Sequence, residues 1–398
     1  MYPRIMLTGI PCYLSNTIVR AEGTHVHYRE RFPEWSTKEA FLRTMRNISN
    51  TGNFLIGEGA MQALPADATV HVPFWHIMGR NLDNPDFLRN LKNRFDVCVL
   101  TAANLIRSDL SAEVEARVLE RIDLPLVVLG IGIQRTADLE QSLPPGTEKF
   151  LRVLRERNAF VMTRGQETAA YLKRIGITQA RPSGCPSMYH MRDYIVAAWR
   201  KLPTFMPSRK ARYIFSGYLG NENEWGVIRD INEMIDPDAS CCYVLQDEPV
   251  SYGMQIGGAD NKIIYDNVTG RLTGEVSFRH RDLVRPVLNI HNFFDTAQWR
   301  TWTACTGDFS LQRRFHGHIV ALQAGVPSIA IALDDRMREM LNYVGFPFME
   351  QEAWQSQQDR LGYLGDFIGS IPVDAVIDRY LEREATFRDN LRDAGLTQ

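Results

Sequence analysis

The sequence has no Cys-x-x-Cys pair. Its six cysteines are Cys12, Cys98, Cys185, Cys241, Cys242 and Cys305, and none shares a zinc-like spacing with histidine. That sets aside the common structural zinc and dithiol redox classes, and it leaves free thiols, which suit a reducing compartment. There is no run of about 18 apolar residues, the length a membrane-spanning helix needs. The opening Met1-Tyr2-Pro3-Arg4-Ile5-Met6 has no apolar secretory core. The expectation is a cytoplasmic protein without a membrane span, with peripheral membrane contact left open. A dominant charge is missing as well. The formal net charge is −2, so nothing global draws the chain to nucleic acid, and any anion site has to be local. Repeats and low-complexity stretches are also absent.

What is present is a chain of 398 residues, 44% hydrophobic and 23% charged. That length exceeds one ordinary core and predicts two domains, 1–200 and 201–398. Short β-rich runs alternate with helical patterns, which is the signature of parallel α/β sheets. In the first half the strands are expected at Arg4–Thr8, Thr69–Phe74, Phe95–Leu100, Pro125–Gly130 and Ala159–Thr163. Leu126-Val127-Val128-Leu129 reads as a strand buried on both faces. The residues from Gly9 to Ser49 resist assignment and read as a lobe inserted after the first strand. A change of register comes near Met188–Ser208, and Pro203, Pro207 and the basic run Arg209-Lys210-Ala211-Arg212 mark a linker. A second unit begins at Arg212-Tyr213-Ile214-Phe215-Ser216. It continues through helix Asn223–Ile235, strand Cys241–Leu245, strand Pro286–Ile290 and helix Thr296–Thr303, and ends in a long amphipathic helix over Val373–Asp393. By analogy with two-domain enzymes of this build, that last helix crosses back to the first domain.

The densest chemistry lies in Arg313-Arg314-Phe315-His316-Gly317-His318, followed by an apolar helix that ends at Gly325, by Pro327, and by a strand over Ser328–Leu333. Cationic side chains at the mouth of a helix, joined to its free N–H groups, make an anion site. The same residues also suit a helix cap within a surface ion-pair cluster. Arg314 and His316 stand at i, i+2, so they can share a ligand only at a helix mouth, and Arg313 and His318 cannot all face it with them. Other polar groups fall at expected strand ends. Asn50-Thr51-Gly52-Asn53 is an Asn/Gly loop that opens a helix. Gly130-Ile131-Gly132-Ile133-Gln134 follows a buried strand, and Arg164 ends another. A guanidinium there grips a carboxylate or phosphate through two hydrogen bonds at once. Trp75-His76, Trp299 and Trp302 are candidates for stacking on a sugar, although the i, i+3 spacing of Trp299 and Trp302 fits core packing better. No spacing calls for a metal.

Together these segments resemble the polysaccharide pyruvyl transferase family. Arg314-Phe315-His316-Gly317, Ala324-Gly325-Val326-Pro327, Ile329-Ala330-Ile331 and Asp334-Asp335-Arg336 follow the family's C-terminal order. The resemblance implies two Rossmann-like domains facing a cleft, as in glycosyltransferases of the B type. It also implies transfer of an enolpyruvyl unit from phosphoenolpyruvate to two hydroxyls of a sugar, giving a pyruvate ketal. Phosphoenolpyruvate would be the donor substrate, and no further cofactor is implied. The acceptor would be a sugar or oligosaccharide of a polysaccharide or its precursor. Lipid linkage of that acceptor and homo-oligomer formation stay open. By resemblance Arg164, Arg314 and His316 are catalytic, and Asn50, Gly52, Asn53, Gly132, Gln134, Arg313, Gly317 and His318 bind the donor. The chain departs from the family at Asn53, at Thr101-Ala102-Ala103-Asn104 and at Cys185, where an aspartate is usual. Two other classes stay in view. One is a sugar-nucleotide glycosyltransferase, for which Glu339 is the carboxylate to consider at a ribose. The other is a non-catalytic sugar- or anion-binding protein.

Overall fold

Side chains that alternate between two apolar faces build the first sheet. The computed structural model describes residues 2–10, 17–19, 25–27, 51–72, 77–78, 81–134, 143–217, 230–236, 239, 241–246, 264–266, 271–273, 288–291, 293 and 296–398. In it Ile5, Leu7, Val97, Val99, Val127 and Leu129 enter one core, and Met6, Cys98, Leu100, Leu126 and Val128 enter another on the opposite side. This is the period-two pattern of strands covered on both faces. The strands are β1 (Ile5–Gly9), β2 (Thr17–Val19), β3 (His25–His27), β4 (Thr69–His71), β5 (Val97–Thr101), β6 (Leu126–Ile131), β7 (Phe160–Thr163) and β8 (Ala180–Pro182). Six of them form a parallel sheet in the order β4-β1-β5-β6-β7-β8, while β2 and β3 pair only with each other.

A second sheet holds β9 (Tyr213–Gly217), β10 (Cys241–Leu245), β11 (Ile264–Asp266), β12 (Arg271–Thr273), β13 (Leu288–His291), β14 (Phe309–Gln312), β15 (Ser328–Ala332) and β16 (Phe348–Glu350). Its order is β11-β12-β13-β10-β9-β14-β15-β16, parallel from β13 to β16 with an antiparallel pair at one edge. Two parallel-sheet α/β units result, as the strand–helix alternation predicts. The expected Trp75-His76 strand end, most of helix Asn223–Ile235 and most of the stretch from Asp247 to Arg285 lie outside the described residues.

The segment expected to be a linker contains a packed helix, Arg192–Lys201. Trp199 on that helix is fully buried and lies against the rings of His318 and Phe346. Its charged flank conceals an apolar face of Ile195, Ala198 and Trp199. The helix Val373–Asp393 buries Val376, Ile377, Tyr380, Phe387 and Leu391 at helical spacing. It also returns to the first unit. Tyr380 Oη donates to Met188 O (3.0 Å), and Asn390 Nδ2 donates to Ser183 Oγ (2.9 Å) and Pro182 O (3.2 Å). The apolar core on this side runs without a break from β1 and β5 to β9 and β14. Among the described residues no helix is long and apolar enough to cross a membrane.

Candidate active site

At the end of β14 the chain turns directly into the helix Phe315–Gln323, with Arg314 extended at its N-cap (φ −122°, ψ 127°) and no side-chain cap bond. The first amides and the positive end of the helix therefore face the carboxyl edge of the second sheet. Gly317 allows the helix to sit that close. A Cβ there would lie 2.3 Å from Gln312 Oε1 and 2.5 Å from Ser216 Oγ. Ser216 and Gln312 hydrogen-bond each other, and Gln246 Nε2 donates to Ser216 Oγ (3.0 Å). Gly317 thus serves close packing against the strand ends.

Neighbouring residues of the signature point in different directions. Arg313 turns inward to a buried ion pair with Asp230 (2.5 Å), whose other oxygen accepts from the Trp354 indole (3.0 Å). His318 is buried with Nδ1 2.9 Å from Ser328 Oγ, and burial pushes its pKa down to about 3. Both residues, expected at the donor, are placed in the interior of the second unit. Trp299 is likewise core, stacked on Phe293 at 6.1 Å.

The first unit contributes Arg164, the residue after β7. Its Nε donates to Gly130 O (2.8 Å) and its Nη1 to Asn104 Oδ1 (2.7 Å). The side chain is buried, and Nη2 has no hydrogen-bond partner among the described residues. Gly132 lies against the arginine stem, where a Cβ would come within 2.9 Å of Cδ. Gln134 Oε1 is 3.5 Å from Asn104 Nδ2, so it reaches Arg164 through Asn104. The turn Thr51–Asn53 packs against the signature helix, with Gly52 buried and no cap bond from the Asn53 side chain. Asn50 lies outside the described residues.

The two units meet at His316. Its Nε2 is 3.8 Å from Cys185 Sγ, which accepts from Ser187 Oγ at 3.1 Å. Burial lowers the His316 pKa well below its ordinary 6.5, and the charges of Arg164, Arg336 and Arg314 push it the same way. The imidazole is therefore neutral near pH 7. Glu339, on the helix Asp335–Val344 of the second unit, accepts from Thr168 N (2.8 Å) and Thr168 Oγ1 (2.9 Å) at the start of helix Gln166–Arg174 of the first. Its carboxylate lies over Gly165. Both oxygens are thus engaged in joining the units, and burial raises the Glu339 pKa. A second buried link lies nearby. Arg300 donates to both oxygens of Glu58 (2.5 and 3.0 Å) and to Gln323 of the signature helix (3.2 Å). His190 Nε2 is 3.2 Å from Glu58. Burial alone would raise the Glu58 pKa, but the bonds from His190 and Arg300 outweigh it and hold it at about 2.

Arg164 and Arg314 thus both lie near enough for their charges to act on His316, at the carboxyl edges of the two sheets. Asn104 and Arg336 join them without having been singled out as site residues from sequence, while Cys185 stands out there as a departure from the family and Glu339 only as a carboxylate to consider at a ribose. For Asn104 a signal was there, since it stands in the segment Thr101–Asn104 that departs from the family. Among the described residues no three His, Cys, Asp or Glu side chains cluster as metal ligands would.

The family model for polysaccharide pyruvyl transferase matches residues 50–335, well over half of the chain. The chain belongs to the polysaccharide pyruvyl transferase family. It is accordingly a transferase, of a family that modifies polysaccharides. The match spans Arg164, the signature and the strand that follows it. No curated protein matches the chain. Among solved structures it is similar to the S. aureus MnaA–UDP co-structure, at 9% identity and a TM-score of 0.46, covering 98% of this chain and 93% of that one. It is also similar to a Methanocaldococcus jannaschii UDP-GlcNAc 2-epimerase solved with UDP-GlcNAc and UDP, at 12% identity and a TM-score of 0.45, covering 93% of each chain. A putative UDP-N-acetylglucosamine 2-epimerase from Listeria monocytogenes stands at 8% identity and 0.45, with 96% and 91% covered. Likeness at this level says nothing about ligand or reaction.

Proposed function

We propose that this transferase moves the enolpyruvyl unit of phosphoenolpyruvate onto two hydroxyls of a sugar in a polysaccharide or its precursor, forming a cyclic pyruvate ketal. The observation that carries the reading is the meeting of Arg164 from one sheet with Arg314 and His316 from the other, in a family member. The donor has a carboxylate and a phosphate, both anionic. Arg164 and Arg314 bind them, with the amides at the start of helix Phe315–Gln323 as further donors. His316 is neutral and takes the proton of the attacking sugar hydroxyl as the new C–O bond forms at the central carbon of the donor. The same proton goes to the methylene carbon, which becomes the methyl group. Phosphate then leaves with its bonding electron pair, and the second hydroxyl attacks the same carbon and gives its proton to the departing phosphate, closing the ketal. The acceptor sugar is bound from the cytoplasmic side of the cell, free or carried on a lipid.

Thermal-shift titration tests donor class. Phosphoenolpyruvate raises the melting temperature in a concentration-dependent way, because a ligand that binds only the folded state stabilises it. UDP-, GDP- and CMP-sugars leave it unchanged. A larger shift with any of these nucleotide sugars than with phosphoenolpyruvate would overturn the reading.

A further inference from the structure

Arg336 has no part in the mechanism above, yet it faces the same site. It lies in the first turn of helix Asp335–Val344, directly after β15, which pairs in parallel with β14, the strand that leads into the signature. Glu339, one turn further along that helix, lies over Gly165, the neighbour of Arg164. Arg336 is therefore held at the seam where Arg164, Arg314 and His316 meet, and its charge is felt at both Arg164 and His316. One guanidinium nitrogen, Nη2, donates to Asp334 Oδ2 (2.9 Å). Its Nε is buried and has no hydrogen-bond partner among the described residues.

Three guanidinium groups around one neutral imidazole repel each other. Of the two nearby carboxylates among the described residues, Glu339 is engaged by Thr168 and Asp334 is paired with Arg336. Among the described residues the site is short of negative charge. A phosphoryl group carries about −1.5 to −2 near pH 7, and a carboxylate on the same molecule brings the total to about −2.5 to −3. Three arginines match that total, and two do not.

We propose that Arg336 is a third donor-binding residue, held in reserve by Asp334, that selects a small ligand carrying a carboxylate and a phosphate together over one carrying either alone. This rests on the phosphoenolpyruvate reading given above. When the donor enters, Arg336 exchanges its partly exposed bond to Asp334 for a charge-assisted bond to the ligand. Asp334 is then a positioning residue with two tasks. Its Oδ1 caps the helix by accepting from Met337 N (2.8 Å), while Oδ2 holds Arg336.

The test is calorimetric titration of the full chain with phosphoenolpyruvate, inorganic phosphate and pyruvate. Arg336→Gln lowers phosphoenolpyruvate affinity about 10-fold or more, the effect of one charge-assisted contact, and affects pyruvate least. Arg336→Lys restores part of the loss, since it keeps the charge and loses the fork. Asp334→Asn acts in the opposite direction. Asparagine still caps the helix but no longer competes for Arg336, so phosphoenolpyruvate binds several-fold more tightly. A purely structural Arg336–Asp334 pair would weaken binding in both variants or in neither. If the wild type binds phosphoenolpyruvate and Arg336→Gln binds it equally well, this inference fails and the donor reading stands. If the wild type does not bind phosphoenolpyruvate, the donor reading fails first.

Discussion

At the scale of single residues, the proposed donor site would separate binding from proton transfer. Arg164→Ala and Arg314→Ala each remove a charge-assisted contact of about 1.5–3 kcal/mol, so the Kd for phosphoenolpyruvate rises roughly 10- to 100-fold. His316→Ala lowers kcat by about 10²–10⁴-fold, the usual contribution of an acid–base group, with a smaller effect on donor affinity. Steady-state kinetics with saturating acceptor measures both. The pH dependence carries a definite sign. Burial and three arginines hold His316 well below 6.5 in the free protein, so it stays neutral at pH 6.5 and protonates only in more acid solution. A bound trianion offsets those arginines and raises its pKa. Imidazole NMR, assigned by comparison with His316→Gln, shows no titration of His316 near 6.5 without donor and an upward shift with it. A free-protein midpoint at 6.5 would contradict the burial of this ring.

At the scale of elements, the signature helix is a packing unit as much as a proposed ligand site. Gly317→Ala places a methyl group against Gln312 and Ser216 and costs about 1–3 kcal/mol, as overpacking does. Arg313→Ala takes the nearer of two arginines from buried Asp230, leaving Arg360 at 3.5 Å and the Trp354 indole, and costs about 1–3 kcal/mol. Chemical denaturation measures both losses. These two residues also show where sequence reading stops. Burial on both faces made β6 legible from Leu126-Val127-Val128-Leu129, and an apolar run leading to Gly325 and Pro327 marked the end of the signature helix. The direction of Arg313 and His318 was not legible, because their partners Asp230, Trp199 and Ser328 lie far off in sequence or on another element. β8 and β16 have three residues each, too few to display a period. The helix Arg192–Lys201 was obscured by prolines and basic residues around an apolar face of three positions.

At the scale of the whole molecule, the two units are joined by buried polar links as well as by apolar core. Glu58 and Arg300 form one such link, and the terminal helix forms another. The Glu58 pKa is held at about 2, below its ordinary 4.5. The stability it confers is therefore fully present above about pH 4.5 and is lost as pH falls through about 2. Glu58→Gln leaves Arg300 buried without a counter-charge and costs about 3–5 kcal/mol at neutral pH. The gap in melting temperature between wild type and this variant narrows as pH drops from 4.5 toward 2, and a constant gap would mean that the pair does not titrate as described. Both links hold Arg164 and His316 at a common site, although each stands on a different sheet. The most direct measurement of that central claim is isothermal titration of phosphoenolpyruvate into wild type, Arg164→Gln, Arg314→Gln and the double variant. One shared donor site predicts that each single change weakens binding about 10- to 100-fold, and that the double change abolishes measurable binding. Wild-type affinity in either single variant would contradict a donor site built from both halves of the chain.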